Sequence, residues 1–561
     1  MALLVILFED DHLLVINKPA GLNTHAPSPF AGEGVYDWLR HREPRWASLA
    51  IIHRLDKETS GLLLFGKTPE ANRSLTDQFT RHAIHKRYLL LTDRTVKRTE
   101  FTASSTLVRT GEKYMSRPLQ AGGVRAETRF RVLRSGSRWT ALIAEPVTGR
   151  THQIRVHAAE HGFPVLGDTL YGGSSAPRLC LHAEEITFRH PMTGAEISFR
   201  APADFTVFPH AALRESLIDP EMTTAYRILH GASDGWPGWY VDRLGDFLLS
   251  QSEYPLTEKQ TLFLEQLLTP RSRRREQADS AGTTEIRLLT SAAAPGHHAS
   301  RTTLRGAYHK TLQRTLRGAT TATACPQHVL GEAAPERFLV CENGLQFELS
   351  FSEGYSVGLF LDQRDNRHRF LHNHIAAGFP LFLGPPSSAE VLNLFAYTCG
   401  FSVCAAKAGA KTTSIDLSRK YLEWGKQNFS ENQIDPGKHE FIYGDAFDWV
   451  RRLGKKQRTF NVIVLDPPTF SRSKERGAFQ IEKDYGELLL ASLSLLKADG
   501  ALFASTNSAT WEPEKFVAMV SAAVQSGGRQ IVQQHYVPQP PDFPISRMEP
   551  SYLKTLWLRL R

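Results

Sequence analysis

Three features of the 561-residue sequence predict a multidomain protein that joins an α+β unit to an α/β unit. At about 150 residues per domain, the length points to three or four compact units rather than one core. Residues 1–205 alternate short apolar runs with Gly, Pro, Asn and Asp turns, and place helix-like segments such as EANRSLTDQFTRHA between them, which predicts α+β. Across residues 346–561 the segments EVLNLF, KTTSID, HEFIYGD and FNVIVLD read as strands separated by helix-length stretches, the pattern of a mostly parallel, doubly wound sheet. Residues 206–345 read as a linker and a small α+β subdomain. There GWPGWYVDRLGDFLLSQ predicts a hairpin, Leu256–Leu268 a helix and PRSRRREQADSAG an exposed basic loop.

Composition narrows the function classes. A hydrophobic fraction of 41% is enough to fold, and a net charge of +9 with pI near 9.2 favours a polyanionic partner. A basic soluble enzyme would have the same balance. The five cysteines form no CxxC pair and no metal-ligand spacing with histidine, so neither a metal site nor a disulfide framework is expected, and the compartment is read as reducing and cytoplasmic. The start, MALLVILFEDDHLLVI, is apolar, but it lacks a basic leader and EDD interrupts it, so it is expected to be a strand and not a membrane segment.

The N-terminal unit carries three informative stretches. In IIHRLDKETSGLLLFGKT, Arg54 and Asp56 sit between two apolar runs; a tight turn with a surface ion pair is the ordinary explanation. In HKRYLLL, Tyr88 would ordinarily be a core aromatic. In EPVTGRTHQIRVHAAEHGFPVLGDTLYG, Arg150, His152, Gln153, Arg155 and His157 crowd a strand-to-helix segment with donors suited to phosphate or carboxylate, where a surface basic strand is the alternative.

Together, and in this order, these stretches resemble the RluA-type family of RNA pseudouridine synthases, with further similarity extending over residues 7–202. The resemblance implies a mixed-sheet catalytic domain that needs no cofactor. Asp56 is then the carboxylate that attacks the sugar or takes its proton, Arg155 pairs with it and keeps it charged, Tyr88 stacks on the uracil, and Arg54 lies beside the flipped nucleotide. Arg150 and His152 are the candidate substrate contacts.

In the C-terminal unit, EVLNLFAYTCGFSVCAAKAG is a strand, a loop and a helix with one clear glycine, Gly400, and no GxGxxG, so dinucleotide binding is not supported. Phe395 opens that loop. Asp416, Asp445 and Asp466 end the next three strands, and carboxylates lined up along one crevice suit the hydroxyls and amine of a nucleoside cofactor; for Asp416, helix capping is the alternative. Pro467 and Pro468 follow Asp466 and fix the backbone at the mouth of the sheet, as the candidate substrate contacts there. With ENGLQFELSFSEGYSVGLFLDQRDNR upstream, residues 225–561 resemble the class I S-adenosylmethionine-dependent methyltransferases of large-subunit ribosomal RNA, such as the RlmI-like 5-methylcytosine enzymes and the C-terminal half of RlmKL, a 7-methylguanine enzyme. The resemblance implies a Rossmann-like domain with S-adenosylmethionine as cofactor. The strand end ALFASTNSATW holds no cysteine of the kind cytosine C5 chemistry requires, which favours a guanine nitrogen as the target.

The chain is thus expected to be a bifunctional RNA-modifying enzyme, with large-subunit ribosomal RNA as partner, no metal and no membrane association. The sequence leaves its oligomeric state undetermined. The alternatives are a 5-methylcytosine-type methyltransferase domain, or an inactive one serving as a ribosome-assembly factor. The basic charge and the attached synthase oppose a small-molecule methyltransferase.

Overall fold

The computed structural model describes residues 6–120, 123–206, 209–269, 304–312, 325–354, 356–473 and 477–561. The basic segment PRSRRREQADSAG falls outside these residues.

From Ile6 the apolar start forms two strands, Ile6–Glu9 and Leu13–Lys18, which pair antiparallel, residues 1–5 lying outside the described ones; the EDD expected to interrupt the run is where the chain turns. They edge an eleven-stranded mixed sheet whose path ends at Lys113–Arg117, with Glu196–Arg200 off that path on Leu181–Arg189. One pairing in it is parallel, between Ser60–Gly66 and Leu181–Arg189, with Gly61 opposite Ala183. Gly61 has φ +117°, and a Cβ there would lie 2.3 Å from the Ala183 carbonyl oxygen, so the glycine of the TSG turn is required by both backbone conformation and space. His85–Thr92 and Thr140–Pro146 occupy the middle of the sheet, and the helix Gln153–Glu160 follows the second of them.

A five-stranded sheet comes next, from Ala225–His230 to Gln327–Gly331. Its Trp239–Leu244 and Phe247–Ser252 strands form the expected hairpin, and the helix Glu258–Leu268 starts at a capping box between Thr257 and Gln260. The boundary expected at 345/346 falls inside another hairpin, Phe338–Glu342 with Leu345–Leu349. One hydrophobic cluster also runs from Leu244, Phe247 and Tyr308 to Val391, Phe503 and Trp557, so the small sheet and the last domain share a core.

The final sheet has seven strands. Numbered in chain order from Glu390–Leu394 to Lys554–Leu560, they lie 3-2-1-4-5-7-6; the first five are parallel and the last is antiparallel to both neighbours. The strand order reverses between Glu390–Leu394 and Phe460–Leu465, which opens a crevice at their carboxyl ends, where open α/β sheets bind ligands. No helix among the described residues is long and apolar enough to cross a membrane.

Replacing Gly61 by Ala is expected to destabilise its strand pair by about 2 kcal/mol, roughly a thirtyfold loss of hydrogen-exchange protection across Ser60–Gly66. Unchanged exchange in the folded variant would show that the turn tolerates a side chain.

Candidate active sites

The first site is a cavity of about 1000 Å³ in the N-terminal sheet, and Arg54, Asp56, Tyr88, Arg150, His152 and Arg155 all line it. Three elements bring them together: the loop before Ser60–Gly66 carries Arg54 and Asp56, the strand His85–Thr92 carries Tyr88, and the helix Gln153–Glu160 with its preceding turn carries the rest.

The Asp56 loop is fixed from beneath by residues that sequence reasoning missed. Thr24 donates its hydroxyl to the Leu55 carbonyl at 2.9 Å and accepts from the Leu55 N–H at 3.1 Å. Lys18 is fully buried, donates to the carbonyls of Pro19 and Leu22 at 2.8 Å and reaches that of Lys57 at 3.3 Å. Burial lowers its pKa to about 7. The signal was available in NKPAGLNT, which supplies a lysine and a hydroxyl to a segment beside the loop.

Arg155 was expected to pair with Asp56, and its first partner is different. It forms a bidentate pair with Asp168, Nε to Oδ2 and Nη2 to Oδ1 both at 2.7 Å, while its Nη1 lies 3.7 Å from Asp56 Oδ2. Asp168 is 2% exposed, so its charge needs this partner, and the pair holds the guanidinium with one nitrogen turned to Asp56. His152 Nε2 lies 3.9 Å from the same carboxylate oxygen, and its Nδ1 is 2.8 Å from the Tyr171 hydroxyl. His152 has φ +56°, a left-handed conformation at the N-cap of its helix. Tyr88 is buried, and burial and then the nearby Asp56 charge raise its pKa, so its hydroxyl stays protonated. Arg54 is exposed at the mouth. Arg150 is exposed too, with Nε donating to the Arg125 carbonyl at 3.2 Å.

The second site lies at the strand reversal. Its glycine-poor loop obtains its turns by another route: Phe395, Tyr397 and Cys399 all have positive φ, +62°, +49° and +63°. Left-handed backbone at non-glycine residues is costly and concentrates at ligand sites. Asp416 holds this loop to the next strand, accepting from the N–H of Tyr397 and of Ser418, each at 2.8 Å. Ser418 caps the following helix, so the capping role weighed for Asp416 belongs to its neighbour. Asp445, expected to face the cofactor, is itself the N-cap of Ala446–Lys455, accepting from Phe447 at 3.0 Å and Asp448 at 3.4 Å. Asp466 accepts from Gln363 Nε2 at 3.1 Å, and the same amide donates to Ser505 at 2.9 Å, tying the ends of two strands together. Burial raises the Asp466 pKa to about 6, against the lowering effect of a hydrogen bond from Ser505. Pro467 is buried and Pro468 exposed.

The strand ends at Asp466 and Ser505 hold no cysteine, and the one in the neighbouring loop, Cys399, is not an accessible thiolate. Cys399 is fully buried with its pKa pushed up to about 12, and Cys404 is equally buried with its pKa raised, both by burial; Cys180, Cys325 and Cys341 belong to other parts of the chain.

Comparisons with known proteins agree with this division. A family model described as RNA pseudouridylate synthase matches residues 12–160, and one described as S-adenosylmethionine-dependent methyltransferase matches residues 272–559. The chain is 39% identical over 212 residues to the ribosomal large subunit pseudouridine synthase C of Yersinia pestis, an alignment covering 36% of this chain and 65% of that one. It is 38% identical over 179 residues to the ribosomal RNA large subunit methyltransferase K/L of Psychrobacter cryohalolentis, covering 31% of this chain and 21% of that one. The chain therefore spans under two thirds of either relative's length. It belongs to the S-adenosylmethionine-dependent methyltransferase family and carries an RNA pseudouridylate synthase domain at its N-terminal end.

Because folding raises the Asp466 pKa from its ordinary value near 3.8 to about 6, the folded state binds that proton more tightly than the unfolded state. The ionised carboxylate then penalises folding above pH 6, and the penalty fades as the pH falls toward the ordinary value. Asp466→Asn is accordingly expected to stabilise the methyltransferase domain by about 3 kcal/mol at pH 8 and by progressively less below pH 6. Denaturation curves showing a pH-independent difference would contradict this.

Proposed function

We propose that this member of the methyltransferase family modifies RNA twice, isomerising a uridine to pseudouridine in its N-terminal domain and methylating a base in its C-terminal domain. The observation that supports the reading best is the Asp56 carboxylate set between Arg155, His152 and Tyr88 in a cavity large enough for a nucleotide. Isomerisation breaks the ribose–N1 bond, turns the uracil and rejoins it through C5. It needs a carboxylate that attacks the ribose or removes its proton, and a surface that holds the freed base. Asp56 supplies the first and Tyr88 the second, while Arg155, held by Asp168, keeps a positive charge near the reacting carboxylate. Arg54, at the mouth, can stand where the target base leaves its stack, and Arg150 and His152 contact the RNA.

In the methyltransferase domain the strained Phe395–Cys399 turn and Asp416 are the residues that fit S-adenosylmethionine, with Asp416 offering its remaining lone pairs to the ribose hydroxyls. Asp445 is assigned a smaller part, since capping already engages it. When bound, that cofactor supplies a sulfonium methyl group. Asp466 and the Pro467–Pro468 backbone position the target, and the lack of a cysteine at the Ser505 strand end favours a guanine nitrogen, which needs only proximity and alignment. Large-subunit ribosomal RNA as substrate, a cytoplasmic location and the division at 1–205, 206–345 and 346–561, its last two units packed on one core, complete the proposal.

Asp56→Asn is expected to abolish pseudouridine formation and leave methylation within about twofold of wild type, as two separate sites require. Retained synthase activity would remove Asp56 from its role. Asp416→Ala is expected to weaken S-adenosylmethionine binding by about 1–3 kcal/mol in calorimetry, the scale of a hydrogen bond to a charged group. RNA carrying 5-fluorocytosine is expected to form no covalent adduct; a trapped protein–RNA band would assign the methyl group to cytosine C5 instead.

A further inference from the structure

Neither reaction uses the junction between the synthase domain and the last sheet, where an unusual set of side chains converges. Glu33 and His41 come from the start and end of the segment that contains the helix Val35–Arg42, and His535 comes from the strand Ile531–Val537, some five hundred residues later. One potential ligand atom from each lies within 4.8 Å of the other two. His41 Nδ1 and Glu33 Oε1 are 2.7 Å apart, and the rings of His41 and His535 are 4.2 Å apart at 64°. The side chains of Glu33 and His41 are 10% and 18% exposed, so the cluster is largely closed to solvent. His535 Nε2 is buried without a hydrogen-bond partner among the described residues. A ring nitrogen left that way inside a protein calls for an explanation, and coordination of an ion is one of the few available.

We propose that Glu33, His41 and His535 bind one divalent transition-metal ion, zinc by the nature of the donors, which clamps the synthase domain to the methyltransferase sheet. Two imidazoles and one carboxylate are a zinc donor set. Bonds of about 2.0–2.2 Å to a common ion require only that the three groups draw together by side-chain rotation, with the Glu33 carboxylate turning from hydrogen bond to ligand and water taking a fourth position. The nearby His374 is not part of the set, since its Nε2 is 2.8 Å from the Arg40 carbonyl. The three residues are too far apart in sequence to form any ligand spacing, which is why the sequence predicted no metal. The role is structural and leaves both proposed reactions metal-free.

The test uses the full-length chain, stripped with chelator and titrated with zinc chloride. One zinc per chain and a rise in thermal midpoint are expected. His535→Ala and Glu33→Gln are each expected to weaken binding by at least about 100-fold, the upper end of what is lost when only an outer partner of a ligand is removed. His328→Ala, at an exposed histidine of the small subdomain, is expected to bind as wild type does. Glu33→Gln keeps the interface packing and so guards against a misfolded histidine variant. Wild-type chain that takes up no zinc, or binding that His328→Ala weakens as much as the other two substitutions do, would overturn the proposal.

Discussion

The arrangement of the domains turns on a helix that is polar and yet buried nearly all round. In Arg364–His372 the seven residues from Arg364 to Phe370 are all buried, and three of them are arginines. A buried guanidinium costs several kcal/mol unless it is paired and its donors are satisfied. Two of the three are paired with carboxylates, and the third is held by backbone carbonyls. Arg364 holds Asp542 at 2.6 and 2.9 Å, Arg367 holds Glu342 with two bonds of 2.7 Å, and Arg369 donates to the carbonyls of Asp365 and Ile375. Asn366 accepts from the Trp557 indole at 3.0 Å, and Asp365 accepts from the Trp38 indole at 3.2 Å with Arg42 at 3.7 Å. The partners come from the small hairpin, the last sheet and the synthase domain. Any other docking would strand at least one of these charges.

Both sites inherit their geometry from pairings of this kind. Gln363, just ahead of the helix, spans Asp466 and Ser505, so the helix also sets the mouth of the methyltransferase crevice. In the synthase domain Asp168 fixes Arg155, and Arg155 presents its remaining nitrogen to Asp56. In each case a buried polar side chain fixes the orientation of a group at the site. The loop Phe395–Cys399 adds strain to this scheme, and the hydrogen bond from Tyr397 N–H to Asp416 helps retain it.

The parts legible in the sequence were those written in short contiguous patterns. Asp56, Tyr88 and Arg155 converge as their three motifs imply, and alternating strands and helices foretold the doubly wound sheet. Contacts between distant segments left no such pattern. Nothing local in the sequence marks Lys18 or Asp168 as buried, and only the fold encloses them. The left-handed turns of Phe395, Tyr397 and Cys399 were hidden because glycine usually announces them. At Asp445 the local signal was passed over: an Asp with another acid three residues on is an ordinary helix start, and it does cap Ala446–Lys455.

The central claim is that one chain houses two separate RNA-modifying centres. Nucleoside mass spectrometry of unmodified large-subunit ribosomal RNA, incubated with the purified chain with and without S-adenosylmethionine, tests it most directly. Pseudouridine is expected under both conditions, and a methylated guanine only when S-adenosylmethionine is present. Pseudouridine that depends on S-adenosylmethionine, or its absence under both conditions, would contradict it.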